Sequence, residues 1–154
     1  MKNYFRLLLV MALGAVINSC TYDRSRDVKN VIYLIGDGMG FGAVSTALLT
    51  HDQVTGFEMA HAVGFQETSS ADNHVTDSPA GGTALATGKR TLNGYLGLDP
   101  DGNQLTSILK KAQAMGKRTG IVVNTTLTEA TPAAFYAGVK SRSEGYKIAE
   151  QFVE

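Results

Sequence analysis

The sequence predicts an α/β domain with a mainly parallel central sheet. Apolar, β-branched runs alternate along the chain with segments of helical periodicity, and glycine-rich loops follow the runs. The chain has 154 residues, of which 44% are hydrophobic, so it is long enough to bury a core. In folds of this class the functional loops lie beyond the carboxyl ends of the strands.

Residues 1–20 have the layout of an export signal. Lys2 and Arg6 precede an apolar run at positions 7–17, and small or polar residues follow it. A transmembrane helix is the alternative, but the run has 11 residues where a span needs about 20. The segment ends in INSC, which resembles the lipobox of bacterial lipoproteins, in which the cysteine is lipidated. Because Cys20 is the only cysteine, we expect a protein of the periplasm or cell envelope, anchored to the membrane by a lipid on Cys20; an ordinary cleaved signal is the alternative.

The charge of the chain argues against nucleic acid as a partner. Residues 1–19 contain two basic residues and no acid, which leaves 12 basic and 14 acidic residues in the rest of the chain. The sequence also lacks a basic run or a basic segment rich in aromatic residues. Residues 21–29 are polar and predict a short tether, so the domain is expected at residues 30–154.

The first half of the predicted domain contains two strands and a helix. Residues 31–35 (VIYLI) form a continuous apolar run, which predicts a strand buried on both faces of a parallel sheet. The run ends at GDGMG, which is typical of a sharp turn, and residues 43–49 then have helical character. A second strand is predicted at residues 62–66, and a polar loop at residues 67–75.

The second half begins with SPAGGTALATG, a short predicted helix. Ser78 suits its N-cap, Pro79 its first residue and Gly88 its end. The remaining predicted elements are turns at Asn93-Gly94 and at residues 99–102, a helix from Leu105 to Gly116, a buried strand at residues 119–124 (TGIVVN), and a final helix in SEGYKIAEQFVE.

Two polar residues at predicted loops are candidates for chemistry, and each also has a structural interpretation. Asp37 follows a predicted strand, where its carboxylate would lie at the rim of the sheet, although Asp-Gly is also a common turn. Ser78 is either a helix cap only or a nucleophile at the positive end of the helix, where N–H groups favour a phosphate. Because no Ser-His-Asp arrangement is near, its activation would need a divalent metal, for which Asp37 is a candidate ligand.

Three later residues extend this set. Thr131 precedes a proline and suits a helix N-cap, whereas together with Glu129 it would offer oxygen ligands to Mg²⁺. Arg142 is either a solvated surface charge or a bidentate clamp for a phosphate.

The motifs that contain these residues resemble those of the alkaline phosphatases. Asp37 in LIGDGMG, Ser78 in VTDSPAGGTA, Thr131 in EATPAAF and Arg142 in VKSR have the order and approximate spacing of that family, and the similarity runs from about Val28 to the end of the sequence. The resemblance implies a three-layer α/β/α fold like that of alkaline phosphatase, incomplete at its C-terminus. It also implies hydrolysis of phosphate monoesters, and it allows a homodimer as the assembly.

The resemblance assigns a role to each residue. Ser78 would be a metal ligand and the nucleophile that forms a phosphoserine intermediate, which water then hydrolyses. Arg142 would hold two phosphate oxygens, and Asp77 would orient Arg142. Asp37 would bridge a zinc ion and the magnesium ion, and Thr131 would bind the magnesium. The implied cofactors are two Zn²⁺ and one Mg²⁺.

The sequence also departs from the family. Glu129 stands where the family often has Asp or His, so it is a candidate ligand of the magnesium or of its water. Family members are much longer, and their other zinc ligands come from later in the chain. The histidines present match none of those ligand motifs: His51, His61 and His74. We therefore expect residues 1–154 alone to have little or no activity.

Two other functions stay open at the level of sequence. One is a truncated, inactive lipoprotein that binds phosphate or a partner, and the other is a related phosphodiesterase. A sulfatase is disfavoured, because its signature needs proline and arginine where this chain has Ala80 and Gly82.

Overall fold

The computed structural model describes residues 28–153, and five helices form within them. In chain order they are α1 (Phe41–Thr50), α2 (Ser78–Thr87), α3 (Ile108–Ala114), α4 (Ala130–Ala133) and α5 (Gly145–Val153). The predicted signal segment with Cys20 lies outside the described residues, as does most of the predicted tether. The chain divides into two units, Met1–Ile35 and Gly36–Glu154, and all five helices belong to the second. Within residues 28–153, every helix is too short or too polar to cross a bilayer.

The predicted helices form, but two predicted caps are wrong. Asp77, not Ser78, is the N-cap of α2, because its carboxylate accepts a hydrogen bond from Ala80 N at 2.9 Å. Ser78 is therefore the first helical residue. Thr131 lies inside α4 rather than at its cap, which is Glu129 and makes no side-chain capping bond.

The end of α2 is as predicted, whereas the next helix begins later than predicted. Gly88 ends α2 with φ 74°, a left-handed conformation that favours glycine, as predicted. The helix expected from Leu105 begins instead at Ile108, because the Ser107 hydroxyl accepts from Lys110 N at 3.1 Å and caps it there.

The predicted parallel sheet is not formed by residues 28–153. The segments at 31–35, 62–66 and 119–124 contain no strand, and β-pairing in this range is limited to isolated bridges, Leu96 with Val139 and Leu98 with Gln104. Phe65 is 87% exposed and Val122 98%. A strand satisfies its N–H and C=O groups only through neighbouring strands, so apolar, β-branched composition does not form one without such neighbours.

The core of the second unit is built largely from small side chains. Its fully buried members include Ala86 on α2, Ala133 on α4 and Ile148 on α5, together with Leu96 from the connection between α2 and α3. Helices α2 and α4 approach closely at Gly82, where an added Cβ would lie 3.2 Å from the Cβ of Ala134. This close contact holds the start of α2 beside α4, and these helices carry two of the predicted site residues.

Candidate active site

Asp37 lies in a tight turn at the start of the second unit. Met39 N donates to the carbonyl of Gly36 at 3.1 Å, which closes the turn around Asp37. Gly38 has φ 72°, a conformation that most other residues avoid. Asp37 therefore lies in the sharp turn that the GDGMG segment predicted, and its carboxylate is exposed.

The carboxylate of Asp37 brings two other predicted residues together. Ser78 Oγ donates to Asp37 Oδ1 at 3.2 Å, and Thr131 Oγ1 donates to Asp37 Oδ2 at 2.7 Å. The two hydroxyl residues are 41 and 94 positions away from Asp37 in the sequence. Both are half-buried, so three oxygen-bearing side chains converge at a place that solvent and a small ligand can reach.

The start of α2 supplies fewer free N–H groups than the sequence suggested. Pro79 has no N–H, Ala80 N is bound by the Asp77 carboxylate, and Gly81 N donates to the Asp77 carbonyl at 2.9 Å. The positive end of the helix dipole still lies at Ser78, which favours negative charge there. Attraction of a phosphate to this point therefore depends more on the dipole and on side chains than on a ring of backbone donors.

Arg142 is paired with Glu129 in the structure. Arg142 Nη2 lies 2.7 Å from Glu129 Oε2, and both side chains are about half exposed, at 47% and 49%. Within residues 28–153, no hydrogen bond or ion pair joins Asp77 to Arg142; the second oxygen of Asp77 accepts instead from Gly94 N at 2.7 Å. A guanidinium has five N–H donors, so this pairing leaves most of them for another ligand.

Sequence reasoning missed Asn93, which was predicted only as part of a turn. Its side-chain oxygen accepts from Asp77 N at 3.2 Å, directly before Ser78. The Asn-Gly pair signals a turn, but no local signal shows that the turn packs against residues 16 positions earlier.

The donor atoms at the site suit magnesium better than zinc. A carboxylate with two hydroxyls offers hard oxygen ligands, which Mg²⁺ prefers. Zinc sites usually take about three protein ligands from Cys, His, Asp or Glu. In the described part of the chain no group of three or more His, Cys, Asp or Glu residues is arranged to hold a metal ion. The oxygen ligands at Asp37 therefore fit a magnesium ion and do not make a zinc site by themselves.

The family to which these motifs belong is shown by comparison with known proteins. The family model for alkaline phosphatase matches residues 28–151. The chain therefore belongs to the alkaline phosphatase family. Among curated relatives, it is 35% identical over 143 residues to alkaline phosphatase 4 of Bacillus subtilis, an alignment that covers 83% of this chain and 30% of that protein.

Solved structures of alkaline phosphatases are also similar to this chain, which supports the fold class. A cold-active alkaline phosphatase from the psychrophile Shewanella sp. is similar with a TM-score of 0.72 and 35% identity, over 77% of this chain and 32% of that one. A histidine-to-aspartate variant of TAB5 alkaline phosphatase, with magnesium bound in its M3 site, has a TM-score of 0.73 and 32% identity, over 75% of this chain and 34% of that one. The chain thus spans about a third of the length of these relatives. Family membership and the magnesium in this neighbour imply metal cofactors.

Proposed function

We propose that this chain is the amino-terminal part of a metal-dependent phosphate monoester hydrolase that uses Ser78 as its nucleophile. The observation that carries the proposal is the convergence of Ser78 and Thr131 on the carboxylate of Asp37. Three motifs that are far apart in the sequence meet at one accessible point, as a shared site requires. Alkaline phosphatase relatives support the same chemistry.

In the proposed reaction Ser78 attacks phosphorus. Its hydroxyl donates to Asp37, which fixes the direction of Oγ, and the positive end of α2 favours the alkoxide that forms as the proton leaves. The Oγ–P bond forms as the ester P–O bond breaks. The leaving oxygen takes up a proton from solvent, equivalent to the one that Ser78 gives up, and departs as the alcohol. Water then cleaves the phosphoserine, which restores the Ser78 hydroxyl and releases inorganic phosphate.

Arg142 is proposed to hold two oxygens of the phosphate. Arg142 Nη2 donates a hydrogen bond to Glu129 Oε2. We therefore propose that Glu129 orients the guanidinium. Asp77 caps α2 and is proposed to hold Ser78 in position through that cap.

Metal ions complete the proposed site. Asp37 and Thr131, with Glu129 as a further candidate, would hold one Mg²⁺, and Asp37 and Ser78 would contribute to sites for two Zn²⁺. Such ions, when bound, lower the pKa of a coordinated hydroxyl or water and neutralise charge on the phosphate.

The sequence supports an exported protein with a lipid on Cys20, and the family resemblance alone supports a homodimer.

The nucleophile is tested by Ser78→Ala in the full-length gene product, supplied with Zn²⁺ and Mg²⁺. We expect hydrolysis of p-nitrophenyl phosphate to fall by several orders of magnitude, and phosphate on Ser78 to disappear from mass spectra of acid-quenched protein. Ser69→Ala is the matched control, because Ser69 lies in the loop before α2 and its hydroxyl donates to the exposed Glu67, its one hydrogen-bond partner within residues 28–153. Undiminished hydrolysis by Ser78→Ala would remove Ser78 as the nucleophile.

A truncated lipoprotein that binds phosphate or a partner is the second candidate, because the N–H donors that Arg142 does not use on Glu129 suit a phosphate whether or not turnover follows. Equilibrium dialysis of the full-length product with zinc and inorganic phosphate, run beside an assay of p-nitrophenyl phosphate hydrolysis, separates the two candidates. Tight phosphate binding by a full-length product that shows no turnover would support binding alone. Turnover by the full-length product would exclude it.

A further inference from the structure

The Asn93-Gly94 turn holds the segment that leads into Ser78. The side-chain amide of Asn93 bonds two backbone groups of that segment: Oδ1 accepts from Asp77 N at 3.2 Å, and Nδ2 donates to the carbonyl of Val75 at 3.1 Å. Only one orientation of the amide satisfies both partners, because an N–H needs an acceptor and a carbonyl needs a donor. Asn93 therefore binds the chain on both sides of Thr76, directly before the proposed nucleophile.

The backbone of the turn is held by two carboxylates. Asn93 N donates to Asp72 Oδ1 at 3.0 Å, and Gly94 N donates to Asp77 Oδ2 at 2.7 Å. The second bond is made by the same carboxylate that caps α2. Gly94 has φ 88°, which side chains other than glycine rarely adopt. The turn, the cap of α2 and the approach to Ser78 thus form one hydrogen-bonded unit.

The segment that follows the turn pairs with the segment before Arg142, the proposed phosphate-binding residue. Leu96, which is fully buried, exchanges two backbone hydrogen bonds with Val139, at 2.9 and 3.0 Å, three residues before Arg142. Gly97 N donates to the buried hydroxyl of Thr83 on α2 at 2.9 Å. Residues 93–97 therefore form hydrogen bonds to Asp77 at one end and to Val139 near the other.

We propose that Asn93 is a positioning residue, which fixes Ser78 Oγ against Asp37 by holding the backbone at Val75 and Asp77. Its importance for the reaction rests on the proposed role of Ser78 as nucleophile. A nucleophile displaced by about 1 Å can lose on the order of a hundredfold in rate, so rigid placement of this segment has catalytic consequences. Asn93 acts through Ser78 and touches no reacting atom.

The position of Ser78 is tested in the ¹⁵N-labelled 154-residue chain. Asn93→Ala is expected to speed hydrogen exchange of the Asp77 amide by about three- to tenfold, the effect of losing one hydrogen bond. The amide at the far end of α2, Gly88 N, which donates to the carbonyl of Ala84, should keep its wild-type rate. Asn93→Asp keeps an acceptor for Asp77 N but sets a carboxylate oxygen against the Val75 carbonyl, so it should restore only part of the protection.

A second measurement reports the hydrogen bond between Ser78 and Asp37. Asp37→Ala removes the acceptor of the Ser78 hydroxyl and should shift the Ser78 amide resonance in the otherwise wild-type chain. In the Asn93→Ala background this shift should fall by about half or more, because the two side chains are no longer held together. A general loss of stability would change many amide resonances and would not selectively remove the effect of Asp37→Ala on the Ser78 resonance.

The matched control is Asn103→Ala, since Asn103 also lies in a turn and binds a carboxylate, that of Asp99, away from the site. It should leave both the Asp77 exchange rate and the Ser78 shift unchanged. Wild-type values of either quantity in Asn93→Ala would overturn the proposal, whether or not the protein is a phosphatase.

Catalysis gives a separate outcome in the full-length gene product. Asn93→Ala should lower kcat for p-nitrophenyl phosphate about 10–100-fold and change KM little. An unchanged kcat in Asn93→Ala, when its spectra show that Ser78 no longer bonds Asp37, would mean that the reaction does not need this placement and would also overturn the proposal. A Ser78→Ala variant that stays active would instead remove the proposed nucleophile, and the two failures are therefore distinguishable.

Discussion

Two adjacent glycines in α2 test the packing that brings Ser78 and Thr131 together. At Gly81 an added Cβ would lie 3.6 Å from Thr76 Cγ2, an ordinary van der Waals distance. Gly81→Ala should therefore gain only the helix propensity of alanine, and raise the free energy of unfolding by about 1 kcal/mol. For a chain of this size that corresponds to an increase in Tm of about 3 °C.

At Gly82 the same substitution meets α4. The added Cβ would lie 3.2 Å from the Cβ of Ala134 and 3.4 Å from the Cα of Thr131, so α4 must move by a few tenths of an ångström. Overpacking of this kind costs about 1–3 kcal/mol, which offsets the gain of about 1 kcal/mol in propensity. Gly82→Ala should therefore be less stable than Gly81→Ala by about 1–3 kcal/mol.

Urea unfolding of both variants, followed by circular dichroism, measures this difference directly. Because the two substitutions add the same methyl group to the same helix, propensity cancels and only the packing against α4 remains. Equal stabilisation by both variants would refute the close approach of α2 and α4, and with it the reason given for the meeting of Ser78 and Thr131 at Asp37.

Three further predictions concern Thr83, Thr91 and Asp72. The buried hydroxyl of Thr83 accepts from Gly97 N at 2.9 Å, so Thr83→Val should lower the free energy of unfolding by about 1–3 kcal/mol. Thr91→Val should leave it unchanged or raise it, because this buried hydroxyl has no partner among the described residues; equal losses in urea midpoint would contradict the assignment. A hydrogen bond from Asn93 N lowers the pKa of the Asp72 carboxyl below its ordinary value of 3.8, so its stabilisation is present above that pH and lost as the pH falls through the lowered pKa. Asp72→Asn should lower the urea midpoint near neutral pH and reduce its fall below about pH 4, and identical pH profiles would argue against this bond.

The sequence predicted helices better than strands, for a physical reason. The end of α2 at Gly88 and the helix at residues 145–153 depend on groups within a few positions of one another, so local patterns suffice. The segments at 31–35 and 119–124 have strand-like composition, yet a strand depends on partners that local composition does not supply. The caps fall between these cases: Asp77 and Ser78 are both good cap residues, and contacts with Gly94 at the turn favour Asp77.

The candidate site also has features that the sequence predicts and features that only the tertiary structure shows. By itself the sequence identified the candidates for the chemistry, because Asp37, Ser78, Thr131 and Arg142 each stand in a short motif that resembles one of the family. Only the tertiary structure decided how they combine: two hydroxyls meet on one carboxylate, Glu129 takes the guanidinium of Arg142, and Asn93 holds the approach to Ser78. These contacts join residues 13 to 94 positions apart, and the packing of helices and turns, rather than any local pattern, sets such distances.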